Sequence, residues 1–370
     1  MRARDVGITF PGTPGPLNAI TDIAGIEVGM TTLNFDTRTQ AVAARTGVTA
    51  ILPLGKAGIG TSVPAAIYSL NGNGEMTGSH WINETGALTG PVMITNTHAV
   101  GTVHRGVIEW IVRNKPHLAT QWLLPVVAET WDGYLNSINE PFITTDHAGQ
   151  AIDAADSGPV AEGSSGGGTG MNCYGFKGGN GTASREVAFG GSTYTVAVFM
   201  QANFGARQEL MISGVPMGDL DIPCPIETQP WLDADARAVP GAGSVIVIVA
   251  TDAPLLPQQC QAMARRIPMG LARTGTTGGH FSGDVFLCFS TANPGALDSG
   301  FPSAPVESDQ LRQLRMVPWN RMDPFYAATV QAVEESVVNV LVAASDMTGR
   351  NGHFSPGLPL DQVRSRLGIA

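Results

Sequence analysis

Short apolar stretches bounded by Gly, Pro or Asn recur along the chain and predict β-strands. Several of them are apolar at every position rather than at alternate ones, a pattern typical of strands buried on both faces of a sheet. The predicted strands are residues 48–54, 91–95, 123–128, 194–200, 245–250 and 285–290.

Between these stretches, apolar residues recur at helical spacing. Residues 101–114 carry one apolar face, formed by Val103, Val107, Ile108, Ile111 and Val112. A second predicted helix, 254–266, follows Asp252 as its N-terminal cap, and a third, 324–345, follows Asp323. Strands and helices alternate without a strict βαβ rhythm, which favours helices layered outside packed sheets.

Two regions lack this patterning and are predicted to be loops. Residues 162–184 are rich in glycine and serine, and residues 222–243 are acidic and contain several prolines. The second region has the composition of an exposed segment that could be cut.

Composition narrows the classes of function. The 370 residues carry a formal net charge of −10, which disfavours nucleic acid and anionic membranes as partners. The four cysteines form no CxxC pair, and no apolar core of a signal peptide follows the basic start of the chain. We therefore expect a cytoplasmic protein that acts on small molecules or peptides.

No cofactor or metal site is expected from the sequence. His98 and His104 are six residues apart and do not form an HExxH motif. The glycine-rich segment 163–181 contains neither a P-loop nor a dinucleotide-binding motif, since Lys177 follows Phe176. We expect this segment to form a backbone-lined loop near the active site or at a subunit contact.

The junction at residues 240–250, PGAGSVIVIVA, is the main candidate for chemistry. Self-cleavage between Gly243 and Ser244 would expose a serine whose own α-amino group is a base with a pKa near neutrality. The alternative is an ordinary glycine turn before a buried strand.

Motifs along nearly the whole chain resemble the DmpA/BapA family of L-aminopeptidase/D-esterases and β-peptidyl aminopeptidases, which cleave themselves at a Gly-Ser bond. Besides Gly243-Ser244, the resemblance rests on motifs in matching order at residues 95–101, 129–136, 168–171, 175–179, 201–205, 250–256, 270–275, 281–286 and 289–293.

The resemblance implies an α+β fold, a four-layer αββα sandwich like that of the ornithine acetyltransferases. It further implies one domain, cleaved into interlocked parts 1–243 and 244–370, and a homo-oligomer, a tetramer of cleaved units. The implied substrates are short peptides, amino-acid amides or esters.

The same resemblance suggests roles for individual residues. Ser244 would be the nucleophile, Asn203 would stabilise the oxyanion, and Glu129 would bind the substrate's ammonium group. Trp131 would line the pocket where relatives have a tyrosine.

Ser282 and Asp284 would assist the new α-amine. They are two residues apart and share one side of an extended segment. Relatives carry a glutamate at the second position, one methylene longer than Asp284.

Two other functions stay open at this stage. An acyltransferase of the ornithine acetyltransferase type would use an amine in place of water as acceptor, although those relatives use threonine as the nucleophile. A binding protein with the same fold would remain uncut and have no activity.

Overall fold

Two β-sheets form the centre of the molecule, described here for residues 1–39, 41–229, 240–302 and 311–369 in a computed structural model. The first sheet has four strands in the order β1-β2-β5-β6. Its strands β5 and β6 are parallel, and the other pairs are antiparallel. The bounds are Glu27–Asp36 for β1, Ala43–Leu52 for β2, Val92–Asn96 for β5 and Val126–Thr130 for β6.

The second sheet has six strands in the order β4-β3-β14-β13-β10-β9. Strands β13 and β14 are parallel, and every other pair is antiparallel. The bounds are Val63–Ser69 for β3, Ala87–Leu88 for β4, Gly179–Phe189 for β9, Ser192–Gly205 for β10, Gly241–Thr251 for β13 and Ser282–Ser290 for β14.

Three two-stranded ribbons accompany the sheets. They pair β7 (Asn172–Cys173) with β8 (Phe176–Lys177), β11 (Met211–Ile212) with β12 (Val215–Pro216), and β15 (Met347–Thr348) with β16 (Phe354–Ser355).

Helices cover the outer face of each sheet. Helices α2 (Val100–Asn114) and α3 (Thr145–Asp153) pack on the first sheet, and α5 (Pro257–Ala264), α6 (Ile267–Ala272) and α7 (Asp323–Ala343) pack on the second. The layers are therefore αββα, which confirms the fold expected from the resemblance. The remaining α-helices are α1 (Ser79–Thr85), α4 (Pro225–Thr228) and α8 (Leu360–Leu367).

Strand β13 shows why the apolar runs have no polar alternation. Val245, Val247 and Val249 pack towards the helices, whereas Ile246 and Ile248 pack into the core between the two sheets. Because both faces are covered, each position favours an apolar β-branched residue.

The predicted start of the second helix was wrong. Helix α5 begins at Pro257, and the backbone N–H of Leu256 donates to Gln259 Oε1 (2.9 Å). Asp252 caps no helix, since its carboxylate accepts a hydrogen bond from Thr195 N (2.7 Å). A proline suits the first helical turn, because a backbone N–H at this position would have no intrahelical acceptor and its absence therefore costs no hydrogen bond.

The glycine-rich segment 162–184 is not the loop that its composition predicted. It contains β7, β8 and the first part of β9, and residues 166–168 are buried. A Cβ on Gly167 would lie 2.2 Å from Gln201 Oε1 and 2.7 Å from the carbonyl of Ile94. The glycine is needed here because the backbone runs through a space too narrow for any side chain.

The predicted processing loop 222–243 is described only in part, since residues 230–239 lie outside the described residues. Of the rest, 225–228 form α4 and 241–243 already belong to β13. Within the described ranges, no helix has the length and apolarity needed to cross a membrane.

A buried ion cluster ties the N-terminal segment to α7. Glu335, which is fully buried, accepts hydrogen bonds from Arg4 Nε (2.7 Å) and Arg185 Nη2 (2.6 Å). Asn18 Nδ2 donates to the same carboxylate (2.7 Å). The N-terminal segment, β9 and α7 are therefore joined through one carboxylate.

Glu335→Ala should destabilise the fold by about 3–5 kcal/mol, because two arginines lose their buried partner. The measurement is urea-induced unfolding in a Ser244→Ala background. The control is Glu334→Ala, which removes the neighbouring ion pair with the half-exposed Arg273 (2.9 Å) and should cost at most about 1 kcal/mol. Equal losses in the two variants would contradict the role given to the cluster.

Candidate active site

Ser244 lies near the start of β13, where the ends of both sheets meet. Its neighbours in the second sheet are Asn203 on β10 and Gly283 on β14. From the first sheet, the residue after β6 approaches, and the backbone N–H of Trp131 donates to Ser244 Oγ (3.3 Å). Ser244 is 2% exposed and lines a cavity of about 410 Å³.

Gly243 is in close contact with the neighbouring strand. A Cβ at this position would lie 1.9 Å from the carbonyl oxygen of Asn203, far inside van der Waals contact. Any other residue would push β13 away from β10 and displace Ser244. The glycine before the serine is therefore required by strand packing, in addition to leaving its own carbonyl accessible.

Ser282 and Asp284 lie directly beside the Gly243–Ser244 bond, on β14. Ser282 is opposite Gly243 in the parallel register, and Asp284 is opposite Val245. Ser282 Oγ donates to Asp284 Oδ1 (2.5 Å), so the two side chains do share one side, as their spacing predicted.

Asp284 is 3% exposed. Burial raises the pKa of its carboxyl, and hydrogen bonds from Ser282, Asn71 and the backbone N–H of Val245 oppose that rise. The carboxylate thus contacts the amide that follows Ser244. An α-amine formed at Ser244 would be one residue from this contact.

Asn203 has a fixed orientation next to Ser244. Its Oδ1 accepts from the backbone N–H of Asn172 (2.8 Å), and its Nδ2 donates to the carbonyl of Trp131 (2.9 Å). A β-bulge between Asn203 and Gly205, where Gly205 has φ +86°, interrupts the register of β10 at this point. Bulges often redirect a side chain beside an active site. The second N–H of the amide is available to an oxyanion in the cavity.

A buried lysine lies next to Asn172, the residue whose backbone N–H binds Asn203. Lys177 pairs with Asn172 across the β7–β8 ribbon, and its Nζ donates to the carbonyls of Met171 and Gly178 (2.9 Å each). Burial lowers the pKa of Lys177 to about 7, partly offset by the charge of Asp132. The glycine-rich segment thus reaches the site through Asn172.

Glu129 is the second-last residue of β6, lines the cavity and is 3% exposed. Its Oε1 accepts from the backbone N–H of Glu75 (2.9 Å), and its Oε2 accepts from Thr97 Oγ1. Burial raises the pKa of the Glu129 carboxyl, while the two hydrogen bonds lower it. A buried carboxylate without an ion pair among these contacts is suited to bind a cation.

Apolar and aromatic side chains form most of the cavity wall. These are Trp131, Tyr134, Phe204, Ile226 and Phe281. Two carboxylates also line the cavity, the buried Glu129 and the half-buried Glu227. In the described ranges, no group of three or more His, Cys, Asp or Glu side chains could hold a metal ion.

The structure brings the sequence-predicted residues together in two layers. Ser244, Gly243, Asn203, Glu129 and Trp131 line the cavity. Ser282 and Asp284 lie on the neighbouring strand β14, opposite Gly243 and Val245 in the register. Their catalytic roles remain predictions.

Sequence reasoning missed several groups in the site. Asn71 and Asn73 come from a loop after β3, a strand that was not predicted. Thr97 belongs to a motif that pointed to the family but received no role. Glu227 on α4 also lines the cavity. The cluster Asn71-Gly72-Asn73-Gly74 was the available signal, since such residues mark a turn after a strand.

Comparison with known proteins agrees with this geometry. The chain matches peptidase family S58 over residues 18–355. The β-peptidyl aminopeptidase BapA of Sphingosinicella microcystinivorans is 45% identical over 373 residues, covering 99% of this chain and 91% of that protein. BapA of Sphingosinicella xenopeptidilytica is 44% identical, covering 98% of this chain and 90% of that protein.

Solved structures show the same similarity. The L-aminopeptidase D-Ala-esterase/amidase of Ochrobactrum anthropi, a prototype of the serine aminopeptidases with a variant of the Ntn hydrolase fold, superposes with a TM-score of 0.89 at 42% identity, covering 99% of this chain and 98% of that one. A β-aminopeptidase of a Burkholderia species gives 0.86 at 41% identity, covering 100% and 98%. The chain therefore belongs to peptidase family S58 and is a serine aminopeptidase of the Ntn type.

Proposed function

We propose that this protein cuts its own Gly243–Ser244 bond and then releases single N-terminal residues from short peptides, amino-acid amides and esters. The observation that carries the proposal is the position of Ser244, which is fixed between two strands and shares a small cavity with the buried Glu129. We further propose that the chain forms a single domain, that the cleaved units assemble into a homo-oligomer, and that the protein is cytoplasmic. These three points rest on the resemblance and the composition alone.

Self-cleavage would begin with attack of Ser244 Oγ on the carbonyl carbon of Gly243. A C–O bond forms, the C–N bond to Ser244 breaks, and the hydroxyl proton ends on the freed nitrogen. Water then hydrolyses the ester, leaving a carboxylate at Gly243 and a free α-amine at Ser244. Ser282, opposite Gly243 in the register, would assist the proton transfer.

Substrate hydrolysis would reuse the same hydroxyl. The α-amine accepts the proton of Ser244 Oγ as the oxygen attacks the substrate carbonyl, and the protonated amine then gives the proton to the leaving group. Asn203 Nδ2 stabilises the oxyanion. Water hydrolyses the acyl-enzyme by the same steps. Glu129 binds the ammonium group of the substrate, which restricts cleavage to the first residue.

Purified protein should contain a fragment whose N-terminus is Ser244, because the scissile bond and the nucleophile belong to the same residue pair. Ser244→Ala should remain one chain of 38.6 kDa and have no hydrolytic activity. The measurement is intact-protein mass spectrometry with a peptide and amide assay. Ser365→Ala, at an exposed serine in α8, is the control and should be cut normally. An intact wild-type chain that is active would exclude the proposal.

Glu129→Gln keeps the shape of the side chain and removes its charge. The kcat/KM for free-amine substrates should fall roughly 10- to 150-fold, the equivalent of a charge-assisted contact of about 1.5–3 kcal/mol. Since burial raises the pKa of Glu129, the wild type should lose substrate affinity as the pH falls towards that pKa. This loss should be absent in Glu129→Gln.

The control for the charge is Glu84→Gln, which removes one exposed carboxylate on α1 and should change kcat/KM less than twofold. N-acetylated substrates should be poor for every variant. If the wild type hydrolyses blocked and free-amine substrates equally well, Glu129 does not bind the ammonium group.

Asp284→Asn should shift the alkaline-rising limb of the pH–rate profile to lower pH. The carboxylate contacts the N–H next to Ser244, so in the cut protein its charge favours the protonated amine, and removing it lowers the amine's pKa. The variants His98→Gln and His104→Gln test whether one of these imidazoles is the base in place of the α-amine. A limb that disappears with either histidine, yet stays in place in Asp284→Asn, would identify an imidazole as the base.

A further inference from the structure

One short loop contacts both ends of the active site. It leaves β3 in the second sheet after Ser69 and reaches the first sheet at Met76, which forms a β-bridge with Ala128 on β6. Residues 71–75, Asn-Gly-Asn-Gly-Glu, lie between these points and are called here the 71–75 loop.

The first residue of the loop, Asn71, holds the side chain of Asp284 in place beside the strand that carries Ser244. Asn71 Nδ2 donates to Asp284 Oδ2 (3.1 Å), and the same amide reaches the carbonyl of Gly279 (3.1 Å). Asn71 therefore fixes the carboxylate that contacts Ser282. It also connects that carboxylate to the segment before β14.

The middle of the loop packs directly on β14. Asn73 Nδ2 donates to the carbonyl of Phe281 (3.1 Å). A Cβ on Gly283 would lie 2.2 Å from the carbonyl oxygen of Asn73, and a Cβ on Gly74 would lie 3.1 Å from Gly283 Cα. Because Gly283 is opposite Ser244, the loop is separated from the nucleophile's strand by one strand only, with backbone against backbone.

The last residue of the loop holds the ammonium site. The backbone N–H of Glu75 donates to Glu129 Oε1 (2.9 Å). Two residues later, Thr77 N donates to the carbonyl of Val127 (3.0 Å). The loop thus spans from the strand beside Ser244 to the carboxylate of Glu129.

We propose that the 71–75 loop sets the spacing between the ammonium site and the nucleophile, and in this way determines whether α- or β-aminoacyl substrates are preferred. The inference rests on the proposed aminopeptidase function. A β-residue has one more backbone carbon between its amine and its carbonyl, a bond of about 1.5 Å. With the amine bound at Glu129, the position of the carbonyl relative to Ser244 depends on that spacing.

Two glycines in the loop provide a matched test, since neither has a positive φ. In Gly74→Ala the new Cβ meets the backbone of Gly283 at 3.1–3.4 Å, whereas in Gly72→Ala it meets open space. Gly74→Ala should push the loop and Glu129 away from β14 by a few tenths of an ångström. The wider spacing should favour the longer substrate.

The measurement is kcat and KM for β-alanine p-nitroanilide and L-alanine p-nitroanilide, on protein whose cleavage has been checked by mass spectrometry. Gly74→Ala should raise the β-to-α ratio of kcat/KM on the order of 3- to 10-fold, since a displacement of about 1 Å costs about 100-fold. Gly72→Ala should keep the ratio within about twofold of wild type.

A second variant covers the case in which Gly74→Ala does not fold or is not cut. Asn73→Ala adds no atoms; it removes one amide from the cavity wall and frees the loop from Phe281, so it should bring the β-to-α ratio closer to one. If every loop variant that is cleaved keeps the wild-type β-to-α ratio of kcat/KM, the inference is wrong and the proposed function still stands. Wild-type protein that hydrolyses neither substrate would overturn both.

Discussion

Strand β13 has a neighbouring strand on each side and a packed layer on each face. Its backbone groups pair with β10 and β14, and its side chains alternate between the helix-side core and the core between the sheets. A nucleophile at the start of such a strand has little freedom to move, because any shift would break two ladders at once. The positions of Ser282, Asn203 and the cavity all follow from this one strand.

The remaining parts of the site come from the other sheet, so the packing of the sheets determines whether the site is complete. Trp131 brings the end of β6 against Ser244, and Glu129 lies two residues earlier. The core between the sheets contains close-packed Ile, Val and Phe side chains. Close packing keeps the distance between the two sheets nearly constant. A bond-forming reaction needs the reacting groups to be held at such a fixed distance.

The sequence was most informative where the local pattern and the tertiary environment agree. The apolar run 245–250 predicted a strand buried on both faces, and β13 is one. Strand β1 was missed because its second half is largely exposed and carries polar residues such as Asn34 and Asp36. The cap assigned to Asp252 was wrong because the carboxylate bonds to Thr195 on another strand. The contact between Asn71 and Asp284 joins residues 213 positions apart, and no local pattern contains that information.

The ion cluster at Glu335 would join the two polypeptides that the proposed cut produces. Arg4 and Arg185 would belong to one polypeptide and Glu335 to the other. Strand β10 and the part of β13 from Ser244 onwards would be divided in the same way. Folding of the precursor is a unimolecular process, whereas reassembly of separated fragments is bimolecular and slows with dilution. A cleaved molecule would thus have a structure that its separated products regain only slowly, and its persistence would depend on slow unfolding rather than on repeated refolding.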